Sequence, residues 1–170
     1  MGGEGAMQVY PWLVVGHVLA VIVAFGAHGV SAFAMFRARD EPDRARLAAV
    51  LDLSASSLLV AGVALLVAIL LGIVAAIMGG HFARLWPWVS IVVLIVSIGS
   101  MTPLAANPLG TLRVALGQPA RNAKPGDPLP VPAPDAELAA AQARLRPWLV
   151  AAIGLVALGV LVWLMEMKPF

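Results

Sequence analysis

The sequence predicts an all-α polytopic membrane protein, a bundle of four transmembrane helices in a single domain spanning residues 1–170. Composition predicts it first. Hydrophobic residues make up 61% of the chain and charged residues only 12%, too little polar surface for a soluble domain. Charge patterning predicts it independently. The stretches Gly5–Phe36, Leu53–Ala83, Leu85–Leu112 and Pro147–Met165 contain no Asp, Glu, Lys or Arg. Crossing about 30 Å of hydrocarbon takes roughly 20 helical residues. Lipid satisfies no free backbone groups, so each span is expected to be a helix.

The elements follow in order. Helix one is expected over about 11–36. A signal-peptide reading of this run fits poorly, because Glu4 precedes it and no basic side chain does. "RARDEPDRAR" (Arg37–Arg46) is a charged turn, with Asp40 as N-cap and Pro42 in the first turn of the next helix. Helix two is expected over about 41–78 and "GGHFAR" is a short turn. Helix three is expected over about 86–106, kinked at Pro103 and ended by Asn107–Pro108. A Pro-rich loop over 107–136 is expected to be irregular and disordered. "AELAAAQARLR" is Ala-rich and should form a surface helix, leading into a fourth span within 137–166.

Topology follows from the basic residues. Arg37, Arg39, Arg44, Arg46, Arg113, Arg121, Lys124, Arg144 and Arg146 fall at one end of the bundle; Arg84 and Lys168 fall at the other. Basic residues stay in the cytoplasm, so both termini are expected outside. Tyr10, Trp12, Trp86, Trp88 and Trp163 mark the outer helix ends and Trp148 the inner boundary, as amphipathic rings do. The Arg-over-Lys bias and the Ala, Gly, Pro and Val richness fit a high-GC bacterial genome, hence a bacterial cytoplasmic membrane.

The chemistry-bearing feature is "HVLAVIVAFGAH" (His17–His28). Eleven helical steps return to within about 20° of the start, so both histidines share a face, about 16 Å apart along the axis. Ala24, Ser31 and Met35 continue that stripe. Val15, Leu19, Ile22, Gly26, Val30 and Phe33 form the opposite, bulkier face. The histidine stripe is expected to meet other helices, because small residues allow close approach.

Three roles stand open for these imidazoles. One is binding of haem or copper, with Met101 on helix three at the depth of His28, and Met78 or His81 as partners for His17. The second is movement of a proton or small solute. The third is a neutral hydrogen bond to a facing serine or carbonyl. Asp52 is expected to pair with Arg37 or Arg39, or else to act as a relay. Glu166 is expected to pair with Lys168, and the charges of the first turn with one another. Gly62, Gly72, Gly154 and Gly159 are expected close-packing points.

Other functions are excluded by missing residues. There is no cysteine, so no disulfide, iron–sulfur cluster or thiolate copper site. The chain shows no P-loop, HExxH, paired-carboxylate or Ser–His–Asp pattern, so ordinary hydrolytic chemistry has no candidate. The expectation is a non-enzymatic protein whose partners are the bilayer, a second copy or another membrane protein, and not nucleic acid.

"WLVVGHVLAVIVAFGAHGVSAFAMFRARDEPDRARLAAVLDLSASS" (12–57) resembles a family of uncharacterised bacterial four-helix integral membrane proteins. The pattern is His17 early in helix one, "AHGVSA" at Ala27–Ala32, the basic turn Arg37–Arg46, then Leu51–Ser54 entering helix two. "WPWVSIVVLIVSIGSM" (86–101) resembles that family's third helix. The likeness extends to about Gly117 and implies the fold without an activity. More distantly, the early histidine with nearby glycines is similar to the copper-resistance D family and to a small membrane haem-pathway oxidase family. That similarity implies copper or haem chemistry at the histidines.

Overall fold

The computed structural model describes residues 3–120, 123–124 and 126–170. Arg121, one of the residues counted above for topology, lies outside them. The described chain is all-helical: α1 Gly3–Asp40, α2 Arg44–Met78, α3 Trp86–Met101, α4 Asn107–Ala115, α5 Asp135–Ala143 and α6 Pro147–Met167. Four segments are long and apolar enough to cross a membrane: Gln8–Asp40, Arg44–Met78, Trp86–Ala115 and Asp135–Met167. The closest pair is α1 with α2; α6 then lies against both α1 and α3. So α1 is held between α2 and α6.

Local chemistry sets the turns. The α1–α2 turn is capped by Asp43 rather than Asp40: its side chain accepts the Arg46 N–H at 2.8 Å, and α2 begins at Arg44. Asp40 is instead the last residue of α1. Glu41 accepts the Asp43 N–H, which leaves the cap residue extended just ahead of the helix. At the other end of α2, Gly80 takes φ 64, a left-handed conformation that suits glycine. One 3-10 turn, His81–Ala83, then delivers Trp86 and Pro87 to the start of α3.

Helix three does not stop at Asn107–Pro108. The chain passes through a π-helical segment, Thr102–Ala106, directly into α4. Pro103 and Pro108 lack the N–H groups that an α-helix would give to Gly99 and Leu104. In the widened turn the Asn107 N–H reaches back five residues to the Thr102 carbonyl, so the helix axis continues past both prolines. The irregular stretch is therefore shorter than expected. Its second half is docked on α4, with the Ala133 N–H donating to the Ala115 carbonyl at 2.8 Å.

Two packing regimes hold the bundle. Within the spans, buried positions recur every three or four residues and are mostly small. On α6 they are Pro147, Val150, Gly154, Ala157, Leu161 and Leu164; on α2 they include Ser54, Ser57, Ala64, Ala68 and Ala75. Spacings of three, four and seven residues keep these positions on one face of each helix, where small side chains allow close approach. At the basic end the regime changes. Met35, Leu47, Leu51, Leu109, Leu112, Leu138, Leu145 and Val150 form one cluster of bulky side chains. There the packing is between large apolar side chains.

Candidate functional site

The histidine stripe of α1 falls where its periodicity predicts. Ala24, Ser31 and Met35 are buried, whereas Val15, Leu19, Ile22, Val30 and Phe33 are exposed on the opposite face. The stripe serves two neighbours. His17 and Ser31 meet α2, and His28 meets α6.

His17 Nδ1 lies 2.7 Å from the Ala68 carbonyl oxygen on α2. A carbonyl only accepts, so Nδ1 carries the proton and donates. The ring is seated on Gly72: a Cβ there would lie 2.9 Å from both Cε1 and Nδ1. Two heptads further along α1, the Ser31 and Ser54 hydroxyls are hydrogen-bonded at 2.8 Å between buried side chains. Ser57 donates to the Ser54 carbonyl and Ser56 to that of Leu53. The polar groups on the α1–α2 seam are thus paired across it or within their own helix.

His28 is different. Its ring lies on Gly154 of α6, where a Cβ would stand 2.8 Å from Nε2. Nε2 is buried and has no nitrogen, oxygen or sulfur partner among the described residues. Met101, the expected depth-matched partner, packs instead against the bulky cluster that holds Met35 and Val150, toward the basic end. So the group facing His28 Nε2 is a glycine backbone rather than a thioether.

The remaining sequence candidates lie apart. Met78 ends α2 and is exposed. It is six residues beyond Gly72, about 9 Å along the axis from the level of His17. His81 is further out, hydrogen-bonded through Nε2 to the Tyr10 hydroxyl at 3.1 Å, with its ring 5.4 Å from that of Trp86. Burial, with the positive charges of Lys168 and Arg84 nearby, holds the His81 imidazole below its ordinary pKa. No group of three or more His, Cys, Asp or Glu side chains converges as a metal site among the described residues.

The charged residues pair differently from expectation. Asp52 pairs with Arg113 of α4, at 2.9 Å, rather than with Arg37 or Arg39. That contact is ionic, and its alignment is too poor for a hydrogen bond. Arg44 pairs with Asp135 of α5 at 2.6 Å and also donates to the Ala133 carbonyl. The ion pair of the first turn therefore runs to α5 rather than within the turn. These are the two ion pairs among the described residues, so Glu166 and Lys168 do not form one.

Sequence reasoning missed what the histidines rest on. Gly72 and Gly154 are close-packing points, as expected, but Gly62 and Gly159 face open space. Depth-matching glycines, rather than methionines, to the histidines would have found both contacts. No family model, curated protein or solved structure matches this chain.

Proposed function

We propose that the protein is a non-catalytic, multi-pass integral protein of a bacterial cytoplasmic membrane, with both termini outside, acting as a structural or assembly subunit. On this reading the intramembrane histidines are helix-packing groups. The observation that carries it is the seating of His17: Nδ1–H bonded to the Ala68 carbonyl and the ring resting on Gly72. A neutral imidazole used this way is a polar lock between helices in a medium that gives little hydrophobic drive. Purification in mild detergent tests the subunit role. The reading expects one membrane protein, or a second copy, at a fixed ratio; a chain that always runs alone contradicts it.

A second reading, copper or haem binding, is favoured by one observation. With Nδ1–H donated to a carbonyl, His17 keeps the tautomer that metal-bound histidines adopt, its Nε2 lone pair free. The donor set argues against it. Met78 and His81 lie at other levels, and His28 Nε2 is closed off by Gly154. The residues present therefore do not fit either group. The resemblance to the uncharacterised bacterial four-helix family supports the membrane assignment through its motifs alone.

A further inference from the structure

The basic end carries arginines of two kinds. Arg39 donates to the Leu145 carbonyl, Arg44 pairs with Asp135, and Arg113 pairs with Asp52. Arg37, Arg46, Arg144 and Arg146 are exposed and their side chains have no hydrogen-bond or ion-pair partner among the described residues. The fold brings the segments carrying Arg37, Arg144 and Arg146 together. Gln142 Nε2 donates to the Ala38 and Glu41 carbonyls, and Arg39 reaches Leu145. These contacts clamp the end of α1 onto the bend between α5 and α6. Asp40, one turn beyond Arg37, forms no ion pair with it.

Directly beneath lies an aromatic pair. Phe36 and Trp148 meet edge to face with centroids 4.6 Å apart, and Trp148 remains 76% exposed. Three exposed arginines without partners thus lie within four residues of this aromatic pair along the chain, where the apolar spans begin. A free anion has no use for the indole. A two-chain lipid uses both, with its phosphate on the arginines and its glycerol and upper acyl region on Trp148.

We infer that the junction of α1 with the α5–α6 bend is a binding site for an anionic phospholipid, held by Arg37, Arg144 and Arg146 with Trp148 beneath. The inference rests on the membrane reading above, with the basic end at headgroup level. Each basic residue near an anionic surface is worth about a fivefold gain in binding, so losing three weakens it on the order of a hundredfold.

Native mass spectrometry of the detergent-purified full chain, offered equimolar phosphatidylglycerol and phosphatidylcholine, tests this. The wild type is expected to retain phosphatidylglycerol preferentially. The triple variant Arg37→Gln/Arg144→Gln/Arg146→Gln should lose that preference, whereas the triple Arg→Lys variant and Arg84→Gln/Lys168→Gln at the opposite end should keep it. Equal retention of both lipids by the wild type, a preference surviving in the triple Gln variant, or displacement of the lipid by excess inorganic phosphate overturns the site. The wild-type and phosphate arms decide the matter even if the triple Gln variant fails to fold. Carbonate washing of membranes is scored separately. A chain released by it overturns the membrane reading, whereas a chain retained without lipid preference overturns the lipid site alone.

Discussion

At the scale of single residues, the two histidine–glycine contacts make unequal predictions. The His17 ring cannot move off Gly72 without stretching its bond to the Ala68 carbonyl. A Gly72→Ala change should therefore cost about 1–3 kcal/mol of overpacking, partly offset by up to about 1 kcal/mol of helix propensity. His28 has no such tether at Nε2, so Gly154→Ala should cost less. Gly62→Ala and Gly159→Ala meet nothing within 4 Å and should be neutral or stabilising. Unfolding in detergent ranks the four; equal losses at all of them would contradict the seating of the rings. His81 sets a pH dependence. Its pKa is lowered in the fold, first by burial and then by Lys168 and Arg84, so the unfolded chain binds the proton more tightly. Stability should then fall as pH drops below about 6.5, the unfolded value. His81→Gln should flatten that slope in a thermal melt, and an unchanged slope would assign it elsewhere.

At the scale of elements, what periodicity and charge could decide was legible. The four spans and the inward stripe of α1 follow from an apolar run and a 3.6-residue repeat, which depend on nothing distant in the chain. What failed depended on where other elements went. Pro103 and Pro108 read as a stop, because a sequence shows the missing N–H groups but not the π turn that reroutes around them. Asp52 was matched to Arg37 and Arg39 because they are near in sequence; the continuation of α3 into α4 brings Arg113 instead. Likewise depth alone pairs Met101 with His28, and depth carries no information on which helix is the neighbour. The ion pair that ties α2 to α5 is testable. Asp135 is almost fully exposed, so a double-mutant cycle of Arg44→Ala with Asp135→Ala should give a coupling of about 0.2–1 kcal/mol. Arg44→Ala alone should cost more than Asp135→Ala, since Arg44 also holds the Ala133 carbonyl. A coupling well above that range would mean the pair is buried in the native membrane.

At the scale of the molecule, small residues pack the apolar spans and a leucine-rich cluster closes the basic end, with α1 shared by both. The proposed orientation rests on the arginines at that end. The natural chain has no cysteine, so single labels are clean. On intact cells, Lys168→Cys should react with an impermeant maleimide, and Lys124→Cys only after permeabilisation; the reverse pattern would invert the topology. On the proposed function the α1 histidines hold helices together and bind no cofactor. An absorption spectrum with metal analysis, on protein purified from its native membranes, tests it most directly. The expected result is no Soret band and copper far below one per chain. A Soret band or stoichiometric copper that disappears in His17→Ala or His28→Ala would contradict it.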